Sequence, residues 1–336
     1  MSTPSTGAPA QGPRMVMVAV LVPVLVTFAL WAFAWPATRT APRDLPLGVA
    51  GPAAAAEPIS RQLQQHDGAF EIHRYADEAA ARDAVEDRSV YGAVVATPRG
   101  PKLLTATAAS PVVAQLLRQA IQKQAPEGAA VPVVDVVPAP AADPRGAALG
   151  SSVLPLAMAG VAAGALVTVR GLRGVRAVLT LLVAAALVGV VAAALTHSWL
   201  GVLTGNWWAE AGVLSLATLA VGGAVAGLAA LLGPAGIGVG ALLMVLLGNP
   251  FSGVTSAPQL LPEPVGFLGQ LLPPGAGGSL LRSVSFFDGA GAGGPALTLG
   301  VWAVAGLAAV LLGARRGRPA PTPQAAAAHP EPAPVG

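Results

Sequence analysis

The sequence predicts a polytopic α-helical membrane protein with six transmembrane helices and an extracytoplasmic α/β domain inserted between helices 1 and 2. Hydrophobic residues form 54% of the 336 residues and charged residues only 10%, whereas soluble domains carry roughly 25% charged residues. Between Arg176 and Arg282 only three side chains titrate, so this stretch would not stay soluble if it faced water. Residues 36–149 instead alternate between strand-like and helix-like patterns, which predicts the inserted domain.

Six apolar runs are candidates for transmembrane helices, because about 20 apolar residues cross a hydrocarbon core of about 30 Å. The first run is longer than the roughly 7–15 apolar residues of a signal peptide, which favours a retained helix. The uncharged run 212–248 would be about 55 Å long as one helix, and Gly-Pro-Ala-Gly at 233–236 divides it in two. Its second half is short and rich in glycine. Two arrangements therefore stay open: this half spans the membrane fully, or it enters and leaves the membrane on the same side. The predicted spans cover residues 15–35, 151–169, 177–195, 212–232, 235–248 and 295–313.

Arginine and tryptophan orient these spans. Cytoplasmic segments are enriched in arginine and lysine, and tryptophan favours the headgroup zone. Six spans with both termini in the cytoplasm place the flanking arginines inside and most tryptophans at the outer boundary. The sequence therefore predicts a multi-pass plasma-membrane protein with residues 36–149 outside and disordered cytoplasmic tails at 1–14 and 319–336. The arginines are Arg14, Arg170, Arg173, Arg176, Arg315, Arg316 and Arg318, and the tryptophans are Trp31, Trp35, Trp199, Trp207 and Trp208.

The extracytoplasmic region predicts a small sheet with helices packed on it, because strand and helix patterns alternate along it. Strands are expected where apolar and β-branched residues cluster or alternate. Helices are expected where a capping residue precedes a periodic apolar pattern. The predicted strands are 45–50, 70–75, 90–97, 102–107 and 131–137, and the predicted helices are 58–66, 77–88 and 110–124.

The loop 249–294 carries the most distinctive local sequence. Its landmarks are Asn249-Pro250-Phe251-Ser252-Gly253, Leu260-Leu261-Pro262, Leu272-Pro273-Pro274-Gly275-Ala276 and Leu280-Leu281-Arg282-Ser283. This loop resembles the outer loop of type-2 ABC-transporter permeases and of phage-infection-protein-like membrane proteins. The pattern at 77–97, an acidic Ala-rich helix before a Tyr-Gly-Ala-Val-Val strand, is also similar to that family's external domain. The resemblance implies that a Pro/Gly-rich stretch of the loop re-enters the membrane before the last helix.

Two acids next to the spans are candidates for function or for simple hydration. Because both Glu210 and Glu263 flank spans, the simpler interpretation is a hydrated acid at the outer rim of the membrane. In the functional interpretation Glu263 faces a translocation path and pairs with Arg282, the only base nearby. The candidate path or outer-loop residues are Asn249, Pro250, Gly253, Glu263, Pro273, Pro274, Gly275 and Arg282.

The sequence excludes several functions. It has no P-loop, since neither Lys102 nor Lys123 follows glycine. It has no cysteine, no paired carboxylates and no histidine cluster at usable spacing, so we expect neither an enzyme nor a cofactor or metal. A net charge of +3 without basic runs argues against nucleic acid. We expect the lipid bilayer, rather than nucleic acid, to be the main partner of the apolar helices.

The resemblance implies a permease-like component of an export system, energised by a separate cytoplasmic ATPase, with a path at the interface of a homodimer. The spans hold no buried charge for a polar solute, so a hydrophobic or amphiphilic substrate is expected. Gly-x-x-x-Gly spacings weakly favour dimerisation. The alternative is a non-transporting envelope protein whose external domain acts as a receptor or a secretion-assembly surface, and the very short cytoplasmic loops favour it.

Overall fold

The computed structural model describes residues 11–65, 67–124 and 130–316, and it consists of a helical bundle with a five-stranded sheet at one end. The predicted tail 319–336 lies outside the described residues, as do residues 1–10 of the other predicted tail. The first helix, α1, begins at Gln11, four residues before the predicted span. Pro13 lies in the first helical turn, where its missing N–H costs no hydrogen bond.

Within the described residues, five helices are long and apolar enough to cross a membrane. This confirms the predicted membrane class in its coarse form, apolar helices combined with a small α/β sheet. A shorter apolar rod, Ala235–Phe251, follows the fourth of these helices and contains a π-helical turn. The helices are α1 (Gln11–Ala37), α5 (Ala147–Val169), α6 (Gly174–Ala193, prolonged by a π-helical turn Ala194–Trp199) and α7 (Trp207–Leu232), followed by the rod of α8 (Ala235–Ala241), Leu242–Leu247 and α9 (Gly248–Phe251), and by α12 (Gly293–Arg316).

Helix α7 is the centre of the bundle, with 67% of its apolar window buried against 22–28% for α5, α6 and α12. Small residues allow the close approach. A Cβ at Gly164 of α5 would lie 2.6 Å from the Gly222 carbonyl, and one at Gly306 of α12 would lie 2.3 Å from the Gly223 carbonyl carbon. Gly164, Gly222 and Gly223, which belong to the glycine spacings noted in the sequence, are thus occupied by packing within one chain, and they lend no support to a dimer.

The sheet has the strand order β2-β1-β3-β4-β5, and its pairs are parallel except for the β3–β4 hairpin. Asp77 caps α3 by accepting a hydrogen bond from the Ala80 N–H at 2.9 Å. Helix α2 begins five residues earlier than predicted, because four consecutive alanines before Glu57 favour helix. The elements are β1 (Leu45–Ala50), α2 (Ala53–Gln64), β2 (Phe70–Tyr75), α3 (Glu78–Glu86), β3 (Gly92–Thr97), β4 (Gly100–Thr105), α4 (Pro111–Gln124) and β5 (Val133–Asp135).

Both faces of the sheet are covered, and both coverings include residues from the loop before α12. One face packs Leu47 and Leu103 together with Leu260. The other packs Ala93 and Leu104 together with Phe287. The core of the sheet is therefore completed by chain that lies more than a hundred positions away, and the sheet does not form a unit separate from that loop.

Residues 252–287, here called the inserted segment, run into the bundle and back out. The segment contains a 3₁₀ turn (Pro258–Leu260), α10 (Val265–Gln270) and α11 (Pro273–Phe286). The indole N–H of Trp302 donates to the Leu271 carbonyl at 2.8 Å. Trp302 lies about 14 Å along α12 from its start, so the turn between α10 and α11 lies beside α12 at that depth, with Leu271 45% exposed at the outer surface. Helix α11 then returns to the sheet.

Candidate functional site

The sheet and the inserted segment meet along a polar seam. The Tyr91 hydroxyl donates to Oε1 of Gln259 at 2.9 Å. Arg43 Nη1, from the strap between α1 and β1, donates to the Leu260 carbonyl at 3.0 Å. These contacts tie the sheet to the inserted segment by directional bonds in addition to apolar packing. The seam is defined here by Arg43, Arg88, Tyr91, Gln259, Ser279 and Arg282.

Arg88 connects the sheet to helix α11 by hydrogen bonds. It follows α3 in the left-handed backbone region, with φ of 59°, a conformation uncommon for a residue other than glycine. Its Nη1 donates to the Ser279 carbonyl at 3.1 Å and also to the Ser283 hydroxyl. Its guanidinium lies 5.3 Å from the centroid of the Phe287 ring, within the range of a cation–π contact.

Arg282 lies behind Arg88 in the same seam and is only 6% exposed. Its Nη2 donates to the Val254 carbonyl at 2.9 Å. Neither arginine forms an ion pair within the part of the chain that the structure describes. Two arginines thus face one region without a compensating acid.

Glu263 does not pair with Arg282, and that prediction is wrong. Glu263 is exposed and lines a cleft of about 430 Å³ together with Arg43 and Gln259. Arg282 instead turns toward Val254 in the seam. The sequence placed the two residues 19 positions apart in one loop, but the chain between them runs into the bundle and back, which separates them.

The other predicted site residues lie where the rod meets the inserted segment. Gly253 has φ of 65°, and a Cβ there would lie 2.7 Å from the Pro258 nitrogen. A Cβ at Gly275 would lie 2.1 Å from the Gly269 carbonyl oxygen. These positions serve close backbone packing, and they bring no polar side chain into a common cluster. The residues concerned are Asn249, Pro250, Gly253, Pro273, Pro274 and Gly275.

Glu210 is not a hydrated acid at the rim, as the sequence suggested. Its side chain is 0% exposed. One carboxylate oxygen lies 2.8 Å from Nδ1 of His197 and the other accepts from the Gly205 N–H at 2.9 Å. The π-helical turn Ala194–Trp199 at the end of α6 carries His197 to this position. The pair joins the α6 end, the following loop and the first turn of α7.

Sequence reasoning missed Arg88, Tyr91 and Gln259. Arg88 and Tyr91 lie far from Gln259 along the chain, and none of them belongs to a motif that predicts a contact. Within the described ranges, no group of three or more His, Cys, Asp or Glu side chains is arranged to hold a metal ion.

No known protein family, curated protein or solved structure matches this chain.

Proposed function

We propose that this chain is a permease-like membrane component of an export system, working with a separate ATPase. The observation that supports the proposal is the inserted segment, whose helix α11 is buried against the bundle and whose ends are hydrogen-bonded to the sheet. Irregular backbone at membrane depth is tolerated where protein buries it or where it lines a cavity. In transporters, broken helices of this kind form the sites past which substrates move.

The proposal takes the rod Ala235–Phe251 as a sixth span. At 1.5 Å per residue it is about 25 Å long, slightly less than a hydrocarbon core of about 30 Å. A Cβ at Gly240 of the rod would lie 2.9 Å from Val225 and one at Gly236 would lie 2.2 Å from the Leu228 carbonyl, so the rod runs antiparallel to α7. Six crossings bring α1 and α12 to begin and end on the same side of the membrane.

We orient the sheet outside the cytoplasm. Arg170, Arg173, Arg176 and Arg315 are all exposed, and they flank the bundle at the end away from the sheet. A cleft of about 530 Å³ lined by Arg173, Pro234 and Ala314 identifies that end as one surface. Trp31, Trp199 and Trp208 are 46–77% exposed at the sheet end. Arginine inside and tryptophan at the outer boundary is the expected pattern.

In this proposal the bilayer covers the apolar outer surface of the bundle. Helix α1 has only 6% of its apolar window buried, so it is also where a second copy would pack in the homodimer that the resemblance implies. Movement of the sheet would reach the interior through the seam, because Arg88 and Tyr91 hold the inserted segment directly.

A second candidate function is a receptor or secretion-assembly protein that does not transport. The favouring observation is the small surface away from the sheet. There the described spans are joined only by the turns 170–173 and 233–234, which gives an ATPase little to hold.

Photocrosslinking in intact cells separates the two functions. A benzoylphenylalanine at exposed Arg173 samples the turn between α5 and α6, and the matched position Arg99 samples the β3–β4 turn. For an export permease we expect the residue-173 probe to capture a P-loop ATPase and the residue-99 probe not to. Capture from residue 99 alone, with no ATPase at residue 173, would favour the receptor.

A disulfide lock then tests whether the inserted segment moves. A Cβ at Gly277 lies 3.2 Å from the Cβ of Ala217 in α7, close to the roughly 3.5–4.5 Å of a disulfide, and the chain has no cysteine of its own. We expect oxidation of the Ala217→Cys/Gly277→Cys variant to reduce ATP turnover of the captured complex, with recovery on reduction. Turnover that ignores oxidation would show that transport does not need this movement.

A further inference from the structure

We propose that the cavity between Arg88 and Arg282 is a binding site for a phosphate-type oxyanion, carried by a lipid headgroup or supplied as free phosphate. The cavity has a volume of about 250 Å³ and lies in the seam between the sheet and the inserted segment. This inference does not depend on export, because it needs only the two arginines and the space between them.

The charged side chains that line the cavity are all positive. Its polar lining consists of two guanidinium groups, side chains of serine, glutamine and tyrosine, and backbone groups, and no carboxylate lines it. Guanidinium groups are planar donors that match phosphate and carboxylate geometry. The polar side chains that line the cavity are Arg88, Ser89, Tyr91, Gln259, Gln270, Ser279 and Arg282.

The arginines have donors to spare. A guanidinium carries five N–H donors, yet among the described residues Arg282 gives one hydrogen bond, to Val254, and Arg88 gives bonds to Ser279 and Ser283. In the described part of the chain, the buried side-chain atoms without a partner are Ser60 Oγ and Ser285 Oγ. The remaining arginine nitrogens are therefore not among the buried atoms without a partner, and both arginines line the cavity.

One acid lies on the other side of Arg282. Asp143 lines a separate, smaller cavity with Arg282. Its carboxylate oxygens accept from the Ala147 and Ala148 N–H groups at 2.8 Å each, which caps the start of α5. Among the described residues Asp143 forms no ion pair with Arg282, and it does not line the cavity between the two arginines.

The electrostatics favour an anion between the two arginines. Arginine keeps its proton in proteins at neutral pH, so both positive charges are present. A buried charge without a partner is costly. An anion that contacts both guanidinium groups would offset the desolvation cost of the two charges and their mutual repulsion.

The size of the cavity limits the ligand to a headgroup. Pockets for whole drug-sized molecules are about 300–1,000 Å³, and this cavity is smaller. An amphiphile would therefore place its anionic group here and leave its chains against the apolar surface of the bundle.

Thermal unfolding of the full-length protein tests the site. Purified protein in neutral detergent is titrated with inorganic phosphate at constant ionic strength, and separately moved into nanodiscs of phosphatidylcholine with or without phosphatidylglycerol. We expect a rise in melting temperature with phosphate, with phosphatidylglycerol, or with both. The arm that responds identifies free anion or lipid headgroup as the source.

Variants locate the response. Arg282→Gln and Arg88→Gln each remove a charge-assisted contact, so binding should weaken by at least about tenfold. Arg99→Gln removes the same charge from an exposed turn and should leave the response intact. Equal losses for Arg99→Gln and Arg282→Gln would overturn the site in favour of general charge screening, as would unchanged melting of the wild-type protein in every arm.

A measurement on the wild-type protein covers variants that do not fold. Phenylglyoxal modifies accessible arginines, and peptide mass spectrometry reports each position. The responding anion should slow modification of half-buried Arg88 several-fold while exposed Arg99 reacts at an unchanged rate. Equal protection of Arg88 and Arg99, or of neither, would reject the site.

Discussion

Tyr91 in the sheet and Gln259 in the inserted segment are joined by a hydrogen bond of 2.9 Å between residues 168 positions apart. Together with the hydrogen bonds of Arg88, this bond connects the sheet and the inserted segment into one structural unit. The sheet is thus held by the chain that enters the bundle, in addition to the strands' covalent links to α1 and α5.

Replacing Tyr91 by phenylalanine tests this unit. Removal of the hydroxyl leaves Oε1 of Gln259 without its donor, so we expect a loss of about 1 kcal/mol in the free energy of unfolding. Tyr75→Phe is the matched control, because Tyr75 is half-buried and its hydroxyl forms no hydrogen bond among the described residues. Thermal unfolding in detergent measures both. Equal effects of the two substitutions would show that the Tyr91–Gln259 bond adds nothing.

Glu210 and Glu263 should differ sharply on substitution, although the sequence treats them alike. Losing the acceptor of a buried N–H costs about 1–3 kcal/mol, and Glu210→Ala removes the partner of both Gly205 and His197, so it should strongly lower stability or abolish folding. Glu210→Gln keeps one acceptor for Gly205 and should cost less. Glu263→Gln, at an exposed position, should be nearly neutral. Melting temperatures of the three variants check this order, and a neutral Glu210→Ala would contradict the buried pair.

Gly269 should tolerate no side chain. A Cβ there would lie 1.6 Å from the Phe251 carbonyl oxygen, so Gly269→Ala must displace backbone and should cost at least about 1–3 kcal/mol. Gly300→Ala on α12 is the control, because a Cβ there meets nothing within 4 Å. Alanine favours helix over glycine by about 0.5–1 kcal/mol, so the control should be neutral or stabilising. A tolerated Gly269→Ala would show that α10 does not pack on the end of the rod.

The sequence predicts the elements of this protein better than its contacts. A short apolar run predicts β1 and an alternating pattern predicts β2, each at its observed bounds, because the pattern of a strand is local. The seam has no local pattern, since Arg88 and Ser279 are 191 positions apart. Glu210 was misjudged because flanking a span does not reveal that the π-helical turn before it presents His197.

Acid should weaken the sheet through the pair of Glu78 and Lys102. Lys102 Nζ lies 2.6 Å from the Glu78 carboxylate and joins β4 to α3. The hydrogen bond from Lys102 lowers the pKa of Glu78 below its usual 4.5. A carboxylate with a lowered pKa in the folded state contributes stability above its unfolded pKa, and that contribution is lost as the pH falls through the folded value.

The matched variants isolate this effect. Glu78→Gln should lower the melting temperature at pH 7 and reduce its decline between about pH 5 and pH 3. Glu86→Gln on the same helix is the control, because Glu86 is exposed and forms no ion pair within the described part of the chain. Identical pH profiles for Glu78→Gln and the unmodified protein would rule out the pair as a source of stability.

The orientation of the bundle can be read by labelling single cysteines, because the chain contains none. Arg99→Cys lies in the exposed β3–β4 turn and Arg173→Cys in the exposed turn between α5 and α6, at opposite ends of the bundle. With the sheet outside and positive charge inside, a membrane-impermeant maleimide should label residue 99 in intact cells and residue 173 only after the cells are opened. A third cysteine at exposed Trp208, at the sheet end of α7, should behave like residue 99. Labelling of residues 99 and 173 from the same side would be incompatible with α5 crossing the membrane between them.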